Sequence, residues 1–598
     1  MSAGYAALVD ARLQQIAAAM AQRGARSLWG AHALLLTGTA TPEVLLDVVR
    51  RGLRADARGP DGRLRAGPFE VLPAALLLRR WRDALPAAAV DLIGELMTWG
   101  VQERGNTENH WLMYYAGNLL AAEAWPHEET WWNGLPPGAM QAEASRWILE
   151  TIARTARWGH HEYDSPQYHA EHLIPLIGVA DHAADPQLRH QAAQAATLLV
   201  ADMALEYFHG AWAGGHSREG YRQNTWTRVG PIQGLQYAYF GGVEFDAELH
   251  ANAYIAPTLA SPYRPPEVLA ALANDRAEPR VVRKSRAPRT LYRHVEREPL
   301  PVRKYTYLSR SFALGSTRVG LPGPPTGPID LVSWDLTWDG PQHQAKVVAN
   351  HPFRGAGRFS AFLSELPQAA RRSVASGKPY LQFADRLFGA SPYERLAQHE
   401  GLLVALYRIP EDDEAPYVNL YLPRAVAWAE QDGWLLGDVG SFCVAVYPVG
   451  AYHWEEVREA DAASIMVTHG DLVDGWLLKL EGCHPGLVLE AAEAHDAGGF
   501  GAFVERRLGA GLDLGGWPRE GRVRVQSLQG RWLDVTYDGE HLLDGAPIVY
   551  DPYPLYEAPG VTAEVNTGRM VFTHGDERVE LDFGIDPEAR AIPMRVIG

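Results

Sequence analysis

Lys304-Tyr305-Thr306-Tyr307-Leu308 marks the point where the chain changes its hydrophobic period. Before it, apolar residues recur every three or four positions, the spacing of an amphipathic helix; from Lys304 onward the period is two, the spacing of a strand with one face buried. Downstream, Leu402–Tyr407, Tyr417–Leu422, Val444–Val449, Trp476–Leu480, Val523–Leu528 and Met570–Thr573 are runs of aromatic and β-branched residues that predict strands. Trp338-Asp339-Gly340, Gln431-Asp432-Gly433 and Tyr537-Asp538-Gly539 punctuate them as turns. Residues 304–598 are therefore expected to form an antiparallel β-sandwich, with Phe500–Arg507 as a helix crossing over it. Upstream, Pro262–Arg303 is rich in Pro, Arg and Glu, so 262–303 reads as a linker carrying one short helix at Pro266–Asn274. Residues 1–261 read as helices, among them Ala87–Trp99, Trp111–Ala124, Ala139–Ala156 and Gln187–Phe208. Repeated helix pairs of this length suggest an (α/α) toroid, with an irregular bundle as the alternative.

At 598 residues the chain exceeds a single ordinary core. The formal net charge of −17 argues against nucleic acid as a partner, because phosphate binding needs a basic surface. Two cysteines, Cys443 and Cys483, exclude a disulfide framework and a four-cysteine zinc site; they read as buried thiols, or as one disulfide if the protein is exported. Asp10, Arg12, Gln14 and Gln15 interrupt any apolar leader segment, and no stretch is apolar enough for a membrane span. The expectation is a cytoplasmic protein, or a secreted or periplasmic one if a signal peptide has been removed.

Three polar clusters fall in the helical half. In Arg104-Gly105-Asn106-Thr107-Glu108-Asn109-His110-Trp111, Asn106 or Thr107 is placed to cap the following helix, with His110 in its first turn. In His160-His161-Glu162-Tyr163-Asp164-Ser165-Pro166-Gln167-Tyr168-His169, Ser165-Pro166 is expected to start a helix that carries Tyr168, His169 and His172 and runs through Gly178. A divalent metal on His160, His161 and His169 is conceivable, but the spacing matches no metal signature, so no cofactor is expected. In Gly214-Gly215-His216-Ser217-Arg218-Glu219-Gly220-Tyr221-Arg222, the glycines permit close approach to a ligand, and Arg218 and Arg222 offer forked donors for a carboxylate. Trp111, Trp158, Trp212 and Trp226 flank these clusters. Indole faces stack on the C–H faces of sugars, which makes a glycan the expected ligand, although each cluster also reads as ordinary capping, a solvated loop or core.

Ser165-Pro166-Gln167-Tyr168-His169, followed by Leu173-Ile174-Pro175-Leu176, resembles the Ser-Pro-x-Tyr-His stretch of heparinase II/III-type and related alginate lyases. Asn109-His110 resembles their upstream Asn-His pair, at a similar separation, and Phe312-Ala313-Leu314-Gly315-Ser316 resembles the opening of their β half. The resemblance implies an (α/α) toroid joined to an antiparallel sandwich, and cleavage of uronate glycans by β-elimination. It further implies Tyr168 as base, acid or both, with Asn109 and His110 neutralising the substrate carboxylate. Glu108, Trp111, Glu162, Tyr163, His169, His216, Arg218, Tyr221 and Arg222 would then line the substrate groove. The family's Gly-His-x-His-x-Asp segment has no counterpart here: His343, His351 and His399 do not fit it. A second acid/base and a zinc from the β half therefore do not follow from the resemblance. The rival reading is a glycoside hydrolase, which needs two carboxylates flanking the bond; Glu108 with Glu162 or Asp164 would supply them. A third is a glycan-binding protein without catalysis.

Overall fold

The computed structural model describes residues 3–105, 107–160, 164–166, 168–216, 230–286, 302–319, 332–340, 344–351, 391, 393–413, 415–460, 472–517 and 519–586. Among the described residues, the first 205 positions carry nine α-helices: α1 (Ala3–Arg23), α2 (Leu28–Leu36), α3 (Pro42–Gly52), α4 (Pro68–Trp81), α5 (Ala87–Thr98), α6 (Glu108–Ala124), α7 (Pro137–Trp158), α8 (His169–His182) and α9 (Pro186–Leu205). Their starts use ordinary chemistry. Ser27, Thr41 and Asp185 accept hydrogen bonds from backbone amides of the first turns of α2, α3 and α9, and Pro opens α3, α4, α7 and α9.

Alternate helices form two layers. α2, α4, α6 and α8 pack on one another, while α3 packs on α5 and α7 on α9. α6 and α8 are buried along most of their length, as helices of an inner layer must be. The inner helices run parallel. Arg80 pairs with Asp181, Arg79 donates to the His182 carbonyl, and the Ala184 amide donates to the Glu123 carboxylate at 3.0 Å, which gathers the C-terminal ends of α4, α6 and α8. Their N-terminal ends therefore gather at the opposite end. There Phe69 of α4 meets the His110 ring of α6 at 5.3 Å and Tyr254 at 6.1 Å, and Tyr254 meets Trp29 of α2 at 5.4 Å.

Among the described residues, the strand pairs of the β half are antiparallel. A twelve-stranded sheet runs in the spatial order Tyr452–Ala460, Leu472–Glu481, Tyr417–Pro423, Lys346–Asn350, Trp334–Trp338, Phe312–Val319, Val302–Leu308, Arg280–Arg286, Tyr556–Ala558, Val561–Ala563, Arg569–His574, Glu577–Asp582. A six-stranded sheet from Glu394–His399 to Ala427–Gln431 faces it; Phe312, Leu314, Trp334 and Leu336 from one side meet Leu403, Ala405, Val444 and Leu489 from the other. The far face of the six-stranded sheet is covered by the helix Phe500–Gly509 and by a five-stranded sheet carrying Val523, Val525, Leu533 and Val535. The expected sandwich thus has a third layer, and the expected crossing helix is part of it. The Asp432-Gly433 turn closes a hairpin between Ala427–Gln431 and Trp434–Asp438 with both residues left-handed, at φ 51° and 79°.

The structure also departs from the sequence expectation at 262–303 and at the start of α8. The stretch 262–303 is not a plain linker. Glu267–Asn274 is a helix with Val268, Leu269 and Leu272 buried in the helical core, as expected of the short helix, but Arg280–Arg286 is a strand inside the largest sheet. In addition, α8 begins at His169, one turn later than Ser165-Pro166. The Ser165 hydroxyl accepts the Tyr168 amide at 2.9 Å and so forms a turn ahead of the helix.

The twelve-stranded sheet joins the halves. On Val302–Leu308, Lys304 and Thr306 point towards the helices, whereas Tyr307 packs into the sandwich. The approach is close: a Cβ on Gly315 would lie 2.5 Å from Gly214 Cα. Gly315→Ala is therefore expected to lower stability by about 1–3 kcal/mol in urea unfolding. Gly138→Ala, in open space in the first turn of α7, should leave stability unchanged or raise it by up to about 1 kcal/mol.

Candidate functional site

The parallel inner helices present their N-terminal ends, which carry partial positive charge, to one side of the helical half. Thr107 caps α6 in extended backbone, and its hydroxyl donates to Asn109 Oδ1 at 3.1 Å. Glu108 and Asn109 are buried, and His110 is half-buried. Gly105, at φ 74°, lies against the His110 ring; a Cβ there would come within 2.4 Å of Nδ1, so any other residue would displace the imidazole. Arg104 lies 4.1 Å over the half-buried Trp111 ring, and the Trp111 indole donates to the Gly105 carbonyl at 3.1 Å. Tyr115 accepts from Arg104, donates to Glu143 and stacks on Trp147 at 4.8 Å. A wall of aromatic rings and one guanidinium therefore stands beside the Asn109-His110 turn.

Tyr168 is the N-cap of α8 and is buried, with 6% of its surface exposed. Just before it, Asp164 adopts a left-handed backbone at φ 52°. His169 is fully buried; its Nε2 donates to the Leu199 carbonyl of α9 at 2.9 Å, and burial pushes its pKa down to about 3. It is therefore neutral, with its ring 4.8 Å from Trp212 and 5.4 Å from His160. His160 meets His172 edge to face at 4.4 Å. Among the described residues no group of three or more His, Cys, Asp or Glu is arranged to hold a metal ion.

Beneath this end lies a buried ion network that the sequence did not announce. Asp164, Asp202 and Glu206 meet Lys284, Arg286 and Lys304, and all six side chains are 0% exposed. Lys304 binds Asp164 directly and Glu206 at 2.9 Å; Lys284 binds Glu206 at 2.7 Å; Arg286 binds Asp202 directly and reaches Asp164 at 3.4 Å. Glu206 also accepts from Thr306 at 2.7 Å and from the Trp212 indole at 3.0 Å. Burial alone would push the Asp164 carboxyl up, but Lys284, Lys304 and Arg286 together hold it well below the usual carboxylate range. The sequence signal that could have found this network was the alternation of basic residues in Arg280–Arg286, together with Asp202 and Glu206 one turn apart at the end of the apolar helix α9.

The third cluster behaves differently from expectation. Gly214 and Gly215 make their close approach to the sheet, not to a ligand: a Cβ on Gly215 would lie 2.3 Å from Thr317 Oγ1 and 2.7 Å from the Ser333 carbonyl. The Gly214 amide donates to Asp335, itself paired with Lys346 at 2.9 Å. His216 is buried; its Nδ1 donates to the Gly214 carbonyl at 2.8 Å and its backbone pairs with Val332. His169 and His216 are thus packed into the junction. His161, Glu162, Tyr163, Arg218, Tyr221 and Arg222 lie outside the described residues, as do Asn106, Gln167, Trp226 and His343. Of the other β-half histidines considered above, His351 is buried between Ser391 and the Ala415 carbonyl, and His399 ends an edge strand of the six-stranded sheet. Cys443 and Cys483 are both free thiols, the first buried and the second half-buried. No described helix is long and apolar enough to cross a membrane.

The sequence matches no protein-family model and no curated protein.

Two outcomes follow from this geometry. Lys304→Met leaves Asp164 and Glu206 short of a cation and is expected to destabilise the fold by about 3–5 kcal/mol, whereas Arg569→Gln at the exposed Arg569–Asp582 pair should change it by less than about 1 kcal/mol, both read from denaturant unfolding. His169, with its folded pKa depressed to about 3 against an ordinary 6.5, takes up a proton on unfolding as pH falls below about 6.5. Its contribution is present above that pH and is lost progressively on acidification. Replacing it by Asn should flatten the fall in stability between about pH 6.5 and pH 5 by about 2 kcal/mol.

Proposed function

We propose that the chain is a polysaccharide or oligosaccharide lyase that cleaves uronate-containing glycans by β-elimination, working in a groove at the N-terminal ends of the inner helices of an open (α/α) toroid. One observation carries the reading. Adjacent, parallel helices α6 and α8 start at the same end of the helical half, and Asn109-His110 and Tyr168 occupy those starts. Helix N-termini favour an anion through their free amides and partial charge, which suits a uronate carboxylate.

In this scheme the carboxylate is hydrogen-bonded by Asn109 and His110, which stabilises the charge that develops on it as the C5 proton leaves. Tyr168, as phenolate, takes that proton. The C–H electrons form the C4–C5 double bond and the C4–O bond breaks. The phenol then returns the proton to the departing oxygen, so that acid and base are one group. A free phenol has a pKa near ~10 and needs stabilisation of its anion. His169 is neutral and supplies none; the partial positive charge at the N-terminus of α8 favours the phenolate. Trp111, next to His110 in the chain and half-buried with Arg104 over its ring, is the aromatic group for contact with a sugar ring. The glycoside hydrolase alternative has less support. Asp164, one of its two proposed partners for Glu108, is consumed by Lys304, Lys284 and Arg286 and is fully buried. Glycan binding without catalysis remains the third outcome of the test.

The test is a panel of uronate polymers followed by ultraviolet absorbance, because elimination leaves a conjugated unsaturated end and hydrolysis does not. The wild type should generate absorbance on at least one polymer. Tyr168→Phe should lower the rate by about 100-fold or more while retaining glycan binding. Full turnover by Tyr168→Phe would overturn the assignment, as would reducing ends released without absorbance and lost in Glu108→Gln.

A further inference from the structure

The opposite face of the twelve-stranded sheet holds a cleft where that sheet, the edge strand Glu394–His399 and the five-stranded sheet meet. Its chemistry departs from that of the chain as a whole. In a protein of net charge −17, this cleft is lined by Arg283, Arg303 and Arg318. Two tyrosines hold those arginines in place: Arg318 lies 4.0 Å over the Tyr550 ring, and Arg283 and Arg303 lie 5.5 Å and 5.7 Å from the Tyr553 ring. The Tyr553 hydroxyl donates to the Lys304 carbonyl at 2.9 Å, and Arg303 Nε donates to the Tyr550 carbonyl at 3.1 Å, so the rings and guanidinium groups are anchored to the sheet.

The carboxylates nearby do not balance these charges. Arg283 is paired with Glu557 at the rim. Asp551 approaches Arg303 only at 3.7 Å, with its side chain 90% exposed and therefore strongly screened. Arg318 has no carboxylate partner among the described residues. A preorganised, half-buried guanidinium over an aromatic face presents its forked N–H donors to an oxyanion at little further entropic cost. Leu543, Ile548 and Val549 form an apolar lip, which suits a ligand whose charged group is attached to a body with an apolar face.

We infer that this cleft is a second binding site, for a small ligand carrying an oxyanion, with Arg318 as its principal contact and Arg303 beside it. The inference does not depend on the lyase reading: it uses none of the residues at the helix starts and lies on the other face of the sheet.

The test uses three probes on the full chain, sodium glucuronate, inorganic phosphate and neutral glucose, with hydrogen exchange resolved by peptide and affinity from calorimetry. Glucuronate, phosphate or both should protect peptides spanning Phe312–Arg318 and Tyr550–Tyr553, and glucose should not. Protection by glucuronate alone assigns a sugar carboxylate, by phosphate alone a phosphate group, and by both a general oxyanion site. Arg318→Gln should weaken binding at this cleft about tenfold, the loss expected for one charged hydrogen-bonding group, with an unchanged melting temperature. Arg318→Lys should retain part of it, and Tyr168→Phe all of it. No protection of these peptides by either anion would overturn the proposal, as would protection that persists unchanged in Arg318→Gln. Anion protection confined to Glu108–Ala124 and His169–His182 would overturn it too, while leaving the helix-end site intact.

Discussion

Six charges held out of water join the two halves of this protein. Taking a carboxylate or an ammonium group into a dry interior costs several kcal/mol, and mutual attraction offsets that cost only when every partner is in position. In the strand pairing, Lys284 stands directly opposite Lys304, an arrangement that would be repulsive in isolation. It persists because Asp164 and Glu206 reach both ammonium groups from the helical side. The network is all-or-none in character. It specifies one position of the sheet against the ends of α8 and α9, because a displaced sheet would strand charges in the core. Asp164 is the member that matters for the site. Its left-handed backbone and its ion pairs fix the turn that leads, through Ser165, into Tyr168.

The broad architecture was legible from periodicity alone. The switch of period at Lys304, the strands from Leu402 to Thr573 and the Asp432-Gly433 turn all express one rule, that a half-buried element repeats its apolar residues at its own geometric period. The rule fails at Arg280–Arg286 for an identifiable reason. That strand is buried on the helical side by ion pairs and bordered on the other by an arginine-lined cleft, so its burial leaves no apolar pattern. Arg-Val-Val-Arg-Lys-Ser-Arg accordingly reads as a solvated linker when it is one of the central strands of the largest sheet.

The candidate site was partly legible. Capping chemistry placed Thr107 and His110 at the start of α6, and the structure agrees. The Ser-Pro pair misplaced the start of α8 by a turn, because Ser165 closes a separate turn on the Tyr168 amide before the helix begins. The clustered histidines looked like solvated or metal-binding groups. Among the described residues, His160 instead meets His169 and His172 edge to face, and burial favours the uncharged ring of His169. A glycine pair next to arginines suggested a ligand loop, yet Gly214 and Gly215 serve backbone-to-sheet packing. Glycine marks close approach without saying to what. Phe69 and Trp29, each second in its helix, complete the ring of aromatics at the inner-helix starts, a regularity visible only once the helices are known to be parallel.

The order of strands in the large sheet has a temporal consequence. Tyr556–Ala558 pairs with Arg280–Arg286, and Tyr556, Val561, Met570 and Phe572 pack into the same core as the helices at the beginning of the chain. Arg157 of α7 is tied to Asn566 and to the Asp586 carbonyl. During synthesis the helical half emerges first and must wait for more than 250 further residues before this edge of its core is covered. The Arg286 guanidinium is sealed only when Tyr556 arrives above it, with its ring 4.9 Å away. The junction beneath Tyr168 is therefore completed only after residue 556 has been made, and a chain cut short before that residue lacks the cover.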